Sequence, residues 1–455
     1  MTCTFNTLKK GVILLPVAAL LGGCVSFNAE DARHDQIADY TNRLDAAAAQ
    51  LLAQPLTLDD SLAIALTNSF EVRKADIDRE LARLGRKTAF SAFLPQISAA
   101  ANYYSYQKDP QTSSKQFDTE DINIGLPIFM PSTWFLYDAA KHGFAIGEIS
   151  ANYTRQSIVL KTTGAYCDIL VQQDIIKAYE IQLDAARKNS ERIKGLADEG
   201  LVTKWEGEQA SYLFESREMQ LRQAKRKLSV QKAEFLSLLG LSPVADFKLA
   251  PLPPRETTPD EPLDALVAYA LEHHPLLSMA DRQVVMKENS VREAFCSFIP
   301  TLAGFGKESF SGNELMTVSP NFVMGLNAAW DIFNGISIAK YKASKVELEK
   351  TKLERENSFL SVMTGVISAQ ASLSDVSEAA AIAKRAFSVA SAKYEDYDAK
   401  SREGLIPVGD ALDALAERDL AEVELLKLSY AERTARTALE FAMGRIAVPP
   451  PDEAK

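Results

Sequence analysis

The chain has 455 residues, of which 61 are acidic and 50 are basic, and its formal net charge is −11. This length suffices to bury the core of a large domain or of two domains. Because the sequence has no basic patch, it argues against a nucleic-acid partner.

The N-terminus has the features of a secretory signal peptide. Lys9 and Lys10 precede an apolar run over residues 11–20. That run is about half the roughly 20 residues that a membrane-spanning helix needs. We therefore predict a cleaved signal peptide over residues 1–23.

The apolar run ends in a segment that resembles a bacterial lipobox, Leu21-Gly22-Gly23-Cys24. It predicts that Cys24 becomes the lipidated first residue, and acyl chains would hold the protein on a membrane. Val25 follows, where an aspartate would indicate retention in the inner membrane, so the outer membrane is favoured by analogy. The alternative is an ordinary signal peptide with a chance cysteine.

The first half of the mature chain is predicted as a tether and one structural repeat over residues 56–250. The first helix should end before Pro95, because the residue preceding a proline resists the helical conformation. The predicted elements are a polar, alanine-rich tether at 24–55, a helix from Leu58 to Ala92, strands at 95–107 and 121–129, a helix at 134–198, a turn near Gly200 and a helix returning to Gly240.

The second half repeats this order. A proline-rich linker at 251–262 leads into a second repeat at 263–445, and a short tail follows at 446–455. Its prolines make the linker a stiff, non-helical connector. The predicted elements are a helix from Leu263 to Phe298, strands at 300–310 and 319–332, a helix at 336–400, a turn near Gly404 and a helix to Met443.

The two halves share residues at a series of equivalent positions. A shift of 205 positions superposes Pro95 on Pro300, and a shift of 204 superposes Gly200 on Gly404. A repeat of this length indicates one structural unit that was duplicated and fused. Two copies of a long hairpin favour an architectural or conduit role over a single catalytic site.

The long helices carry coiled-coil spacing. In the second copy an apolar residue falls at every seventh position, at Val366, Leu373, Ala380, Phe387 and Tyr394. Such a repeat makes helices pack along one seam and supercoil. A helix of about 65 residues would span roughly 100 Å. An extended coiled-coil spacer explains the heptad spacing as well as a conduit does.

The strand segments favour a membrane. The second and fourth strands alternate apolar residues with polar or small ones over about the length of a tilted transmembrane strand. Aromatic residues lie near the strand ends, as at membrane interfaces, although packing at a strand–helix junction is the alternative. The apolar residues are Ile122, Ile124, Leu126 and Ile128 in one strand, and Phe322, Met324, Leu326, Ala328, Trp330 and Ile332 in the other.

Four strands are too few to close a barrel, since single-chain barrels begin at about eight. An open sheet edge cannot face lipid. The membrane interpretation therefore requires strands from several chains. A soluble four-stranded sheet with one wet face is the alternative.

Over residues 56–445 the sequence resembles the outer membrane efflux protein (TolC) family, particularly its lipoprotein branch. The resemblance implies an α+β membrane protein in which three chains share a twelve-stranded β-barrel, continued by a periplasmic α-helical coiled-coil barrel. It also implies an exit duct for an inner-membrane transporter and a periplasmic adaptor protein. The marks are Leu58-x3-Leu62-x3-Leu66, Phe93-Leu94-Pro95, Phe298-Ile299-Pro300, Gly200, Gly404, Gly240 and Gly444.

The resemblance also assigns site residues. In the family an acidic pair beyond the second turn narrows the tunnel and attracts cations, and Asp410 and Asp413 match that pair. A solvated helix face is the alternative. Adaptor docking maps to the hairpin tips, although Leu201 and Leu405 alternatively close their own hairpins; the tip residues are Gly200, Leu201, Val202, Gly404, Leu405 and Ile406.

Other chemistry finds little support in the sequence. Cys167 and Cys296 are predicted to be buried thiols rather than a disulfide. Ser337 and Lys340 match an S-x-x-K pattern, but the companion motifs of that enzyme class are missing. No metal-ligand spacing occurs. We therefore predict no enzyme activity and no cofactor apart from the lipid on Cys24.

Overall fold

The protein is described from a computed structural model. It covers residues 29–107, 115–252, 261–311 and 321–448. The predicted signal peptide and Cys24 lie outside the described residues.

The first copy consists of five helices and two strands in chain order. Because β1 and β2 are joined at one end and the long helices turn at the other, the copy is an elongated pair of hairpins. The elements are α1 (Ala29–Leu51), α2 (Leu58–Asn68), α3 (Phe70–Ser91), β1 (Gln96–Ser105), β2 (Gln116–Phe129), α4 (Pro131–Asp198) and α5 (Lys204–Leu238).

The second copy repeats the pattern from α6 onwards. Its long helix α8 has 68 residues, as α4 does, which corresponds to roughly 100 Å at 1.5 Å per residue. The elements are α6 (Leu263–His273), α7 (Pro275–Cys296), β3 (Thr301–Ser311), β4 (Asn321–Ala329), α8 (Gly335–Arg402), α9 (Val408–Ser429) and α10 (Ala431–Ala442).

The opening helix of each copy was predicted as one piece, and that prediction is wrong. The helix breaks at Ser69 in the first copy and at His274 in the second, where the backbone is extended. His274 precedes a proline, which disfavours helix. At Ser69 a tertiary contact accompanies the break: Gly240 approaches so closely that a Cβ there would lie 2.4 Å from the Asn68 carbonyl oxygen.

The returning helix of the second copy is also interrupted. It stops at Ser429 and restarts at Ala431, with Tyr430 between them. The predicted single helix to Met443 is therefore two helices, α9 and α10. The corresponding helix of the first copy, α5, runs without a break to Leu238.

The two copies share one sheet. Its order is β1-β2-β3-β4, and every neighbouring pair is antiparallel. The β2–β3 pairing, for example Leu126 opposite Gly304, joins the first copy to the second. β4 ends at Ala329, so Trp330 and Ile332, which were predicted to lie in this strand, follow it.

The core lies where the helix pairs of the first copy meet the chain entering α2. Tyr166 and Phe235 are fully buried and their rings pack edge to face. The Tyr166 hydroxyl lies 3.0 Å from the Leu56 carbonyl oxygen and 2.5 Å from that of Ala250. Burial raises the pKa of Tyr166 to about 12, so it stays a neutral hydrogen-bond donor.

The predicted tether contains α1, which packs at its C-terminal end. Ala48 is buried, and Leu51 and Leu52 pack against the same core. The exposed apolar side chains Ile37 and Tyr40 lie earlier in the helix. The part of the predicted tether that the structure describes from Ala29 onwards is therefore a helix docked by its last turns.

One helix, α8, is long and apolar enough to cross a membrane by length and composition alone. Its length is about three times what a bilayer requires. Large apolar side chains are exposed along it at intervals of seven residues, at Val346, Leu353, Leu360 and Ile367. This spacing is typical of a coiled-coil seam.

Candidate functional site

One face of the sheet is apolar and exposed. Along β2, Ile122, Ile124, Leu126 and Ile128 all point to this face and all are exposed. Directly opposed residues share a face, so Ile97 of β1 lies on this face opposite Ile124. Across β3, whose residues on this face are Glu308, Gly306 and Gly304, the face continues on β4 with the exposed residues Phe322, Met324 and Leu326. A contiguous apolar patch of this kind is expected to be covered by lipid or a partner.

The opposite face of the sheet is polar. Lys307 Nζ lies 3.2 Å from Asp121 Oδ1, and the Ser309 hydroxyl donates to the same carboxylate at 2.6 Å. Asn123 lies on this face next to Asp121 in the alternation. The sheet thus has the two-sided pattern of a barrel wall, with a lipid side and a water side.

Both outer strands of this sheet have an open edge. β1 pairs only with β2, and β4 pairs only with β3, within the described residues. Unpaired backbone groups on an edge strand invite pairing with another chain. The sheet is therefore an incomplete wall.

Aromatic side chains gather at the junction of the strands with the helices. Trp134 and Trp330 are exposed. Each also packs locally, since Trp134 meets the Phe129 ring edge-on and Trp330 donates its indole N–H to the Phe298 carbonyl oxygen at 3.2 Å. The positions of Trp134 and Trp330 are thus compatible both with a membrane interface and with packing at a strand–helix junction.

The hairpin tips lie at the far end of the long helices. Gly200 and Gly404 adopt φ values of +78° and +73°, a conformation that favours glycine. The following N–H groups, of Leu201 and Leu405, close each helix by donating to carbonyl oxygens five residues back at 2.8 and 2.9 Å.

The two tip leucines project into solvent. Leu201 is 68% exposed and Leu405 is 67% exposed. Their backbones close the hairpins, whereas their side chains do not. Val202 differs, because it packs against the buried residues Ile193 and Leu412. The exposed side chains are available to a partner.

The predicted acidic pair lies on the exposed face of α9. Asp410 and Asp413 are exposed, whereas Ala411 and Leu412 between them are buried. The same face continues into Glu417, whose carboxylate lies 2.5 Å from Lys393 Nζ. The hydrogen bond to Glu417 raises the pKa of Lys393, with smaller contributions from Tyr397 and Asp413, so the lysine stays charged beside the acidic face.

Glu206, an acidic residue near the first turn, caps a helix. Glu206 accepts hydrogen bonds from the Thr203 N–H at 2.8 Å and from its hydroxyl at 2.6 Å. This arrangement caps α5, and it lowers the pKa of Glu206. Glu206 is therefore the helix-capping partner of Thr203, and the two copies are not chemically equivalent at their tips.

The remaining candidates are structural. Cys167 and Cys296 are free and buried, as predicted. Within the described ranges no group of three or more His, Cys, Asp and Glu side chains is arranged to hold a metal ion.

Sequence reasoning missed a buried polar layer between the two helical hairpins. Asp419 of α9 is 1% exposed, and Arg217 of α5 lies beside it. The sequence contained a signal for it: Asp419 interrupts the apolar series of Leu412, Leu415 and Val423, which recur on one helix face.

Comparison with known proteins divides the chain in the same two parts as the duplication. A family model described as outer membrane efflux protein matches residues 62–241 and 266–445. The chain is 22% identical over 405 residues to the outer membrane protein TolC of Escherichia coli. The aligned region covers 83% of this chain and 80% of that protein. The two matched segments fall within the two copies.

Solved structures share the fold. The Campylobacter jejuni CmeC outer membrane channel superposes with a TM-score of 0.77 at 17% identity, covering 85% of each chain. The outer membrane protein VceC of Vibrio cholerae gives a TM-score of 0.73 at 16% identity, covering 85% of this chain and 96% of that one. The predicted α+β class with a duplicated strand and helical-hairpin unit is confirmed.

Proposed function

The chain belongs to the outer membrane efflux protein family, and on that premise we propose that it is the outer-membrane exit duct of a tripartite export system. The observation that carries this proposal is the two-faced sheet. An exposed apolar face, a polar opposite face and two open edges sit at one end of helices roughly 100 Å long. Such a sheet suits a barrel wall, and the helices suit a tunnel beneath it.

A homotrimer supplies the missing strands. Three copies of this four-stranded sheet make one twelve-stranded barrel, which exceeds the smallest closed barrels. β1 of one protomer would pair with β4 of the next. No edge would then face lipid.

The helical hairpins offer matching free edges. Within the chain α4 packs against α5 and α9, and α9 packs against α8, so α5 and α8 lie at the two ends of this row. On the free edge of α5, Trp205, Tyr212 and Met219 are exposed at intervals of seven residues. A head-to-tail contact of α5 with α8 of the next protomer would close a ring after three copies.

A lipid on Cys24 would place the N-terminus in the outer membrane. We propose palmitoylation there, and α1 would carry the chain from the lipid to the core around Ala48. The membrane would then hold the protein by both its strands and its anchor.

The tips would meet a periplasmic adaptor protein that links the duct to an inner-membrane transporter. Support comes from the exposed leucines Leu201 and Leu405 at the end remote from the sheet. The proposed docking set is Gly200, Leu201, Val202, Gly404, Leu405 and Ile406.

Asp410 and Asp413 would form the cation-attracting ring of the tunnel. In a trimer the two positions would supply six carboxylates around the axis, and an exposed acidic face concentrates cations. We expect the full-length protein to conduct in a planar bilayer with preference for cations. Asp410→Asn with Asp413→Asn should lower the ratio of potassium to chloride permeability several-fold.

Asp264→Asn is the matched control, because Asp264 is an acidic residue in the first turn of α6, far along the chain from the tips. It should leave the permeability ratio unchanged. An unaltered ratio in the double variant would remove the ring assignment. Absence of any conductance, together with protein that needs no detergent, would favour a coiled-coil spacer instead.

A further inference from the structure

An aromatic cluster of one geometry occurs in both copies, where the helices meet the sheet. Each cluster consists of two phenylalanines near the end of one helix and a tyrosine near the start of the next, with ring centres 5.7 to 6.2 Å apart. The members are Phe90, Phe93 and Tyr137 in the first copy and Phe295, Phe298 and Tyr341 in the second.

A lysine covers the tyrosine of each cluster. Lys141 Nζ lies 5.5 Å from the centre of the Tyr137 ring, and Lys345 Nζ lies 4.6 Å from that of Tyr341. Cation–π attraction favours an ammonium group over an aromatic ring at such distances. A shift of 204 positions superposes one lysine on the other. Both copies therefore present the same aromatic–lysine unit of three rings and one ammonium group.

The first unit lies on the apolar side of the sheet. Phe129 is paired with Leu302, and the register places both on the face that carries Leu126. Trp134 packs edge-on against Phe129 on that side, at 6.1 Å. Lys141 follows Trp134 by seven residues, which is about 20° short of two full turns and roughly 10 Å along α4. The lysine therefore points to the same side as the exposed apolar strand residues.

The depth of the lysine suits a lipid headgroup. The hydrocarbon core takes up about 30 Å of a bilayer of about 40–45 Å, which leaves a polar layer of roughly 5–8 Å on each side. With Trp134 in this layer, the Lys141 ammonium can reach a lipid phosphate, because lysine extends its aliphatic stem toward the membrane surface. Phe90 and Phe295 are about half exposed, so each unit also offers apolar surface.

We propose that each aromatic–lysine unit binds the headgroup of an anionic phospholipid in the periplasmic leaflet of the outer membrane. The lysine contacts the phosphate, and the exposed phenylalanine packs against the glycerol and the first acyl carbons. This inference rests on the proposed function, since it needs the sheet in lipid. A trimer would carry six such sites.

The two units differ in charge. In the first, Lys141 is paired with Asp138 at 2.8 Å. In the second, the position equivalent to Asp138 is Lys342, and Lys345 makes no ion pair within the described residues. The second unit should therefore bind an anionic headgroup more tightly than the first.

The experiment is native mass spectrometry of the full-length protein in detergent, titrated with phosphatidylglycerol or with phosphatidylcholine, in which choline balances the phosphate charge. Phosphatidylglycerol should bind at least about fivefold more tightly. Lys345→Gln should weaken its binding about fivefold, the usual contribution of one basic residue near an anionic surface. Lys141→Gln should weaken it only about twofold, because Asp138 already offsets that charge.

Lys352→Gln is the matched control. Lys352 lies seven residues beyond Lys345 on the same face of α8, roughly 10 Å farther from the sheet, and it pairs with Glu349 at 2.9 Å. Its replacement should leave phosphatidylglycerol binding unchanged. Lys345→Arg keeps the charge and should bind within about twofold of the natural protein.

Three results would overturn the lipid sites: equal binding of the two lipids, unchanged phosphatidylglycerol binding in Lys345→Gln, or an equal loss in Lys352→Gln. Conductance of the natural protein tests the duct separately. If it conducts while Lys345→Gln binds phosphatidylglycerol normally, the sites fail and the duct stands. If it conducts nothing while binding depends on Lys345, the duct fails and the lipid-binding surface stands.

Discussion

The two long helices α4 and α8 are equivalent by duplication and have the same length, yet the chain buries them differently. Of their 68 residues each, nineteen are buried in α4 and seven in α8. α4 contacts six helices, which are α2, α3, α5, α7, α9 and α10, whereas α8 contacts four, which are α6, α7, α9 and α10. The duplicated sequence therefore specifies the helix, and its place in the row specifies the burial.

The unburied side of α8 remains apolar. Val346, Leu353, Leu360 and Ile367 are exposed there. A soluble protein rarely leaves a long apolar stripe open unless a partner covers it. The difference between the two helices thus points to an interface on α8 that α4 does not need.

The largest expected effect comes from a substitution in the exposed apolar stripe of α8, and it tests the difference between α4 and α8. Leu360→Lys puts a charge into the proposed seam, so the trimer should be lost while the single chain keeps its helical content. The measurements are mass by light scattering in detergent and helical circular dichroism. Ser372→Lys is the control, because it introduces the same charge at an exposed position about three turns along the helix and rotated by about 120° around its axis from Leu360. A stable Leu360→Lys trimer would mean that the stripe is not the seam.

The second prediction uses an ion pair that both copies make between the same two helices. Asp76 and Asp281 are equivalent positions, whereas Arg155 and Arg355 lie about one turn apart in the duplicated helices. Arg155 pairs with Asp76 at 2.7 Å, with 6% and 35% of the side chains exposed. Arg355 pairs with Asp281 at 2.5 Å, with 39% and 52% exposed. Arg155→Met should cost about 3 kcal/mol, because it leaves a partly buried carboxylate unpaired. Arg355→Met should cost no more than about 1 kcal/mol.

Urea unfolding of the two variants under identical conditions checks this pair of values. The two arginines serve as controls for each other, since each substitution removes the same groups. Equal losses of unfolding free energy would show that burial does not distinguish the two copies at this point.

The smallest expected effect concerns pH. Burial lowers the pKa of His274, whose Nδ1 caps α7 by accepting the Leu276 N–H. The unfolded chain then binds protons more readily, so stability should fall as the pH drops through the ordinary histidine value near 6.5. The first copy has Ser69 at this break. The Ser69 side chain makes no capping hydrogen bond. His274→Ser removes the titrating ring and should therefore flatten the stability profile between pH 7.5 and about 5.

Thermal unfolding across that pH range is the measurement. The slope should be smaller in the His274→Ser protein than in the natural one. Identical slopes would assign the acid sensitivity to other groups.

Much of this molecule could be predicted because its signals are local. Glycine in the positive-φ region ends α4 and α8, and proline ends the opening helices before β1 and β3. The capping role of Glu206 was also readable, since Thr203 precedes it by three positions. Part of what sequence reasoning missed was local, since Pro275 marks the break at His274. Part was non-local: the break at Ser69 lies against Gly240, which is distant in the chain and close in space.

The sequence by itself determined the duplication, the heptad seams, the alternating strands and the turn glycines, because each depends on the spacing of neighbouring residues along one element. Only the tertiary structure decided which apolar face is covered and which stays open. It also brought Asp419 to Arg217 across the hairpins. The reason is physical: periodicity fixes the direction of a side chain relative to its own helix or strand, whereas burial and charge pairing depend on which other element lies there.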